Sequence, residues 1–270
     1  MIKAIICDLD ETLLDLNKQV SAKDIETIRS LKDKGISFVP ATGRPYFSIK
    51  QTIKDLGLLE EDDISITYNG GMIHRNHDHK ILDENGLTDE LAGWLFDFGV
   101  RNDICMHVYV EELTYHFNLN DEEKHHCRNF EGFTELSVTS LDELNGTPII
   151  KMLYQDLDIE YLRSIEAQIP QKYKDQLEIS YSSGRYLEFN PKGVSKGEAI
   201  KHLADILNID VKNMLSIGDN FNDMTMIQTA GKSGAPKNAV QELKDIADYV
   251  SSYTHTESTV SDIINHFIKD

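Results

Sequence analysis

Two short stretches of this chain concentrate carboxylates directly after an apolar run. Asp8-Leu9-Asp10-Glu11-Thr12 follows residues 4–7, and Gly218-Asp219-Asn220-Phe221-Asn222-Asp223 follows residues 214–217. Like charges a few ångströms apart repel strongly, so gathering Asp8, Asp10, Asp219 and Asp223 calls for a cation. A hard divalent ion with oxygen ligands meets that need. Mg2+ suits because it is held by few carboxylates and shares its other positions with water and substrate phosphate. Two further places offer groups for an anion. Thr42-Gly43-Arg44 brings a hydroxyl, an unhindered N–H and a guanidinium. Lys196 opens a helical stretch, where a cation opposes the helix dipole and so hints at another use.

These residues need elements that deliver them to one place. Residues 4–7 form a short, β-branched apolar run, expected as a buried strand ending at Asp8. Ser21 is placed to cap a helix carrying Ile25, Ile28 and Leu31, which Gly35 stops. Residues 36–39 form a second strand leading into Thr42, residues 48–58 a helix, and residues 64–68 a third strand before the turn Asn69-Gly70-Gly71. Strand, helix, strand, helix, strand predicts a parallel sheet with crossover helices. Ligands bind beyond the carboxyl ends of such strands, so both acidic loops face one rim.

The pattern changes after about residue 84. Residues 106–110 and 113–117 alternate as a hairpin, 149–154 and 177–181 read as strands, and 159–168 as a helix. The α/β alternation then resumes, with an amphipathic helix at 196–207, a buried strand at 214–217, a helix at 240–246 and a short strand at 249–250. The expected class is therefore α/β: a Rossmann-like, doubly wound parallel-sheet core over 1–83 and 188–270, with an inserted α+β unit over 84–187.

Composition narrows the partners. The 270 residues carry 27 Lys and Arg against 46 Asp and Glu, a net charge of −19, which nucleic-acid phosphates and anionic lipid surfaces repel. No stretch of ~20 apolar residues is present, so no membrane span is expected, and the opening apolar run is too short for a signal peptide. Three widely spaced cysteines, Cys7, Cys105 and Cys127, do not make a disulfide framework and fit a reducing cytoplasm.

With these residues in order, the chain resembles the haloacid dehalogenase superfamily, in particular its Cof-like sugar-phosphate phosphatases with a large inserted α/β cap. The resemblance rests on Asp8-Leu9-Asp10 followed by Thr12, on Thr42 in Thr-Gly-Arg, on Lys196 in Gly-Val-Ser-Lys-Gly, and on Gly218-Asp219 followed by Asn222-Asp223. Asn69-Gly70-Gly71 matches a recurring turn before the cap. Lys237 stands before Asn238-Ala239 where many relatives have glycine, and Gly71 where alanine is common.

The resemblance implies a magnesium-dependent phosphatase that hydrolyses small phosphorylated metabolites, sugar phosphates or phosphorylated cofactors, through an aspartyl-phosphate. Asp8 would be the nucleophile, and Asp10 the acid for the leaving alcohol and then the base for water. The ion would bind the Asp8 carboxylate, the Asp10 carbonyl, Asp219 and Asp223. Thr42, Arg44, Lys196, Asn222 and the N–H groups of Leu9 and Gly43 would hold the substrate. The cap would close over the core rim and exclude water. A phosphomutase and a non-catalytic phosphometabolite sensor remain alternatives, and the oligomeric state is open.

Other polar clusters have ordinary readings. His74, His77 and His79 match no zinc spacing and are expected on a surface hairpin, and His125-His126-Cys127 on an exposed helical turn. Cys7 and Trp94 are expected in the core and in the cap interior.

Overall fold

A computed structural model describes residues 1–128 and 136–269. Its elements are β1 (Ala4–Cys7), α1 (Ala22–Ser30), β2 (Ser37–Pro40), α2 (Lys50–Leu56), β3 (Ile64–Thr67), β4 (Met72–Arg75), β5 (Lys80–Glu84), α3 (Asp89–Arg101), β6 (Cys105–Tyr109), β7 (Thr114–Phe117), α4 (Asp121–Cys127), β8 (Lys151–Gln155), α5 (Ile159–Ala167), α6 (Gln171–Lys174), β9 (Leu177–Ser182), β10 (Tyr186–Pro191), α7 (Lys196–Leu207), β11 (Met214–Ile217), α8 (Met224–Thr229), β12 (Lys232–Ala235), α9 (Gln241–Lys244), β13 (Tyr249–Val250) and α10 (Thr259–Phe267). The chain divides into two compact units, Met1–Asp83 with Ser195–Asp270, and Glu84–Val194. The second unit therefore keeps the whole of β10.

In the first unit a parallel sheet runs in the order β13-β12-β11-β1-β2. The fold is α/β and doubly wound, and β1 shows why. Its residues alternate between two cores, as a period of two requires. Ile5 and Cys7 pack with Ile28 of α1, Ile53 of α2 and Ile263 of α10. Ala4 and Ile6 pack with Ile200 and Leu203 of α7 and Met226 of α8. Every β1 side chain is buried, which explains its unbroken apolar run.

The third expected strand departs from that sheet. β3 joins the order β3-β4-β5 and meets the parallel sheet through an isolated parallel bridge, Ala41 to Ile66. Pro40 supplies the reason. The N–H groups of Ser37 and Ala41 bond to Lys3 and Cys7 on the β1 side. By alternation the nitrogen of residue 40 faces β3, and proline has no hydrogen to donate there. Pairing resumes at Thr42, whose N–H donates to the Ile66 carbonyl at 3.0 Å.

The second unit carries an antiparallel sheet in the order β7-β6-β8-β10-β9. Met106, Val108, Met152, Tyr154, Leu187 and Phe189 face the helices α3 and α5 across one core. Trp94 stacks on Phe98 and Tyr173 beside it. The intervening residues of β6, β7 and β10, among them His107, His116 and Tyr186, point to the opposite face, where Glu123 and Cys127 of α4 meet them.

Two expectations about polar clusters are corrected. His74 lies on β4, not on the surface: it is buried, stacks on Tyr46 at 4.7 Å and places Nε2 3.1 Å from Thr67 Oγ1. Only His77 and His79, in the turn, are exposed. On α4, His125 is exposed but Cys127 is buried, because Cys127 lies one helical turn from Glu123 on the inward face. Among the described residues no helix is long and apolar enough to cross a membrane.

Candidate active site

β1 and β11 pair in parallel register, Cys7 opposite Ile217, so their following loops start side by side. The Asp8 N–H donates to the Ile217 carbonyl at 2.9 Å and locks the first loop to the end of β11. One carboxylate oxygen from each of Asp8, Asp219 and Asp223 lies within 4.8 Å of the other two, and all three residues are buried. Thr12 ties the loops a second time, its Oγ1 donating to Asp219 Oδ1 at 2.8 Å.

Lys196 enters this cluster from the first turn of α7. It is fully buried, and its Nζ donates to Asp8 Oδ1 at 2.5 Å and to Asp223 Oδ1 at 2.6 Å. The other Asp223 oxygen accepts the N–H groups of Asp219, at 2.9 Å, and Asn220, at 3.2 Å. Two glycines permit this closeness. A Cβ on Gly218 would sit 2.6 Å from the Asp223 side chain. Gly70, at φ +101°, passes so near the Ser195 carbonyl that a Cβ would lie 2.3 Å from it.

The electrostatics follow from burial. Burial drives the Asp8 carboxyl well above the ordinary carboxylate range, with Lys196 pulling the other way. Burial likewise pushes Asp219 up to about 7; Thr12 opposes it, and Asp223 and Glu11 add to it. Burial works against the Lys196 ammonium, but Asp223 and Asp8 outweigh it and hold the lysine protonated. One ammonium thus faces three buried carboxylates. That imbalance, with hard oxygen donors on all three sides, fits a divalent cation.

The remaining expected residues divide. Thr42 is buried at the end of β2; its carbonyl accepts the Asn69 N–H at 2.9 Å and its Oγ1 accepts the Arg44 N–H at 3.1 Å. Gly43 lies against the Asn69 side chain, which also accepts from Asn222 Nδ2 at 3.2 Å. Leu9 turns its side chain into the core. Arg44 does not stand free for an anion. Its Nε and Nη2 grip Asp10 at 2.7 and 2.6 Å, and Lys18 Nζ holds the same carboxylate at 2.8 Å. Burial alone would raise the Asp10 carboxyl, but Arg44 and then Lys18 hold it below its usual value.

Three contributors have no site role in the sequence reading, although Asn69 and Thr12 stand in its motifs. Asn69 joins Gly43 to Asn222 from a left-handed turn at φ 56°, and its place in Asn-Gly-Gly was the available signal. Thr12 bridges the acidic loops. Lys18 reaches Asp10 from a turn in which Asp15 Oδ1 accepts the N–H groups of Asn17 and Gln19; nothing in the local sequence marks it.

The sequence profile of the haloacid dehalogenase-like hydrolases matches residues 5–264. A protein of Streptococcus pyogenes serotype M6 is 30% identical over 277 residues, covering 99% of this chain and 98% of its own. The Bacillus subtilis 5-amino-6-(5-phospho-D-ribitylamino)uracil phosphatase YwtE is 27% identical over 289 residues, 98% of each chain. A haloacid dehalogenase-like hydrolase of Bacteroides thetaiotaomicron superposes with a TM-score of 0.85 at 26% identity, over 99% of this chain and 100% of the other. The chain belongs to the haloacid dehalogenase-like hydrolase family, as one of its Cof-like phosphatases.

Proposed function

We propose that this protein is a magnesium-dependent phosphatase of small phosphorylated metabolites that works through an aspartyl-phosphate on Asp8. The observation that carries the reading is the buried meeting of Asp8, Asp219 and Asp223 around Lys196. The substrate class draws support from the relative YwtE, which is named for a phosphorylated ribityl compound.

Asp8, Asp219, Asp223 and the Asp10 carbonyl would hold Mg2+, which supplies positive charge against the phosphoryl oxygens. An Asp8 carboxylate oxygen attacks phosphorus and the bond to the leaving oxygen breaks, while Asp10 passes its proton to that oxygen. Water then attacks the same phosphorus, Asp10 takes its proton, and the bond to Asp8 breaks to release phosphate. Lys196, Thr42, Asn222 and the N–H groups of Leu9 and Gly43 stabilise the transferring group, whose charge is spread over its outer oxygens. Arg44 has two tasks in this scheme. It holds Asp10 ionised until substrate arrives, and an incoming phosphate competes with Asp10 for it. That exchange lets Asp10 take up one proton from solvent, which it then passes to the leaving oxygen. We assign this chemistry to the unit formed by the two ends of the chain and a cap role to the inserted unit.

The test is a panel of sugar phosphates, ribityl phosphates and phosphorylated cofactors, assayed for free phosphate with Mg2+ and again with chelator. Metal-dependent release from some members supports the reading. Isomerisation of a hexose phosphate without release identifies a mutase, and binding without turnover identifies a sensor.

A further inference from the structure

The second unit holds a group of residues that the proposed chemistry does not use. His107 on β6 and Glu123 and Cys127 on α4 meet on the sheet face opposite the α3 and α5 core, all three buried. Glu123 and Cys127 are four residues apart, which sets both on one face of the helix. His107 comes from the facing strand, and alternation turns its ring away from the side of Met106 and Val108.

Two of the three separations lie at or just below the edges of a coordination polyhedron, and all three atoms lie within 4.8 Å of one another. Zinc bonds of about 2.0–2.2 Å to nitrogen and oxygen and about 2.3 Å to sulfur imply tetrahedral edges of about 3.3–3.6 Å. Here His107 Nε2 lies 3.3 Å from Glu123 Oε1, and Cys127 Sγ lies 3.1 Å from the same oxygen. His107 is 3% exposed, and its Nε2 makes no well-aligned hydrogen bond among the described residues; Glu123 Oε1, at 3.3 Å, meets it as an ion pair only when the ring is protonated. A buried ring nitrogen left so is costly, and a cation between the three atoms would satisfy it.

The surroundings already orient the carboxylate. Arg185 Nη2 donates to Glu123 Oε2 at 2.6 Å, and Tyr186 Oη donates to Oε1, also at 2.6 Å. Such outer hydrogen bonds fix metal ligands and strengthen binding. Glu122, which pairs with the same Arg185 nitrogen, offsets the guanidinium charge. Imidazole, thiolate and carboxylate together select a borderline ion over a hard one.

We propose that His107, Glu123 and Cys127 form a second metal site, for a divalent cation of the zinc type, sharing no residue with the Asp8 cluster. On binding, the Cys127 S–H bond, which now donates to Glu123, breaks. Sulfur bonds to the ion and one proton leaves to solvent, while His107 Nε2 and Glu123 Oε1 each give a lone pair. No electron is transferred.

The full chain, reduced and stripped by chelator, is titrated with Co2+ alone. We expect a sulfur-to-cobalt charge-transfer band with the strong visible bands of tetrahedral Co2+, displaced by Zn2+. Oxygen ligation at the Asp8 cluster gives no such charge-transfer band. In Cys127→Ser the band should vanish, and affinity for this ion should fall by more than the about 10–100-fold that loss of a supporting hydrogen bond costs. Absence of the band in the wild type, or its survival in Cys127→Ser, overturns the proposal. Should that variant fail to fold, zinc-edge X-ray absorption of the zinc-loaded wild type decides. One sulfur among nitrogen and oxygen neighbours supports the site, and a shell without sulfur overturns it.

Discussion

Lys196 and Asp8 stand 188 residues apart in the chain and 2.5 Å apart in space. The ammonium that reaches Asp8 also reaches Asp223 and is wholly buried. Removing it strands two carboxylates in a low-dielectric site. Lys196→Met should therefore lose about 3–5 kcal/mol of stability, the usual penalty for breaking one side of a buried ion pair. Mg2+ should restore part of that loss, so the magnesium-induced rise in unfolding midpoint should be larger in the variant than in the wild type. Denaturant titrations with and without Mg2+ measure both. Equal magnesium responses would show that Lys196 and the ion do not share these carboxylates.

Asp8→Asn tests the nucleophile. An amide cannot take the phosphoryl group, and turnover of p-nitrophenyl phosphate with Mg2+ should fall by about 10³-fold or more. The fold should survive, because burial already disfavours charge at this position and Lys196 keeps Asp223. Circular dichroism and phosphate release check the two halves, and near-wild-type turnover would remove Asp8 from its assigned role.

Asp10→Asn should discriminate by leaving group. An alkyl phosphate needs a proton on its departing oxygen, whereas p-nitrophenolate departs without one. Turnover of a sugar phosphate should drop by about 10²–10⁴-fold and that of p-nitrophenyl phosphate by much less. A uniform loss across both esters would count against Asp10 as the acid.

Gly218→Ala forces a methyl to within 2.6 Å of the Asp223 side chain, which also holds the N–H groups of Asp219 and Asn220. Overpacking of this kind costs about 1–3 kcal/mol. A shift of about 1 Å at Asp223 should cost ~10²-fold in turnover. Thermal unfolding and steady-state kinetics read the two effects, and normal turnover would show that the Gly218 contact does not position the site.

His74 gives the fold an acid sensitivity. Burial, then His79 and Lys50, push its imidazole down to about 4. The unfolded chain protonates it near pH ~6.5, so between these values the unfolded state binds a proton that the folded state refuses. Stability therefore falls as pH drops through that window, by about 2 kcal/mol between pH ~7.5 and ~5. Denaturation of the wild type and His74→Gln at both pH values measures it; the variant should lose about that much less, and identical losses would refute the assignment.

Much of the site was legible in the chain, because its residues lie at the ends of elements that local pattern defines. The apolar runs of β1 and β11 and the capped, periodic start of α7 end or begin at Asp8, Gly218 and Lys196. Local spacing carries that information, since strands and amphipathic helices follow from period. Other features depend on what a distant segment brings. β10 is not legible in the chain because Glu188 breaks its apolar pattern, and Lys151 on β8, at 2.7 Å, together with the Ser182 hydroxyl on β9, makes a charge acceptable there. His74 is buried because Tyr46 covers it, and Cys127 because its helix turns that face toward the β6–β10 sheet. Arg44 grips Asp10 because the β1 and β2 ends are neighbours. The sequence by itself determined which chemical groups this protein has and the elements that carry them. Tertiary structure alone decided which group each one faces, because burial and charge pairing are set by chain that is near in space and far in sequence.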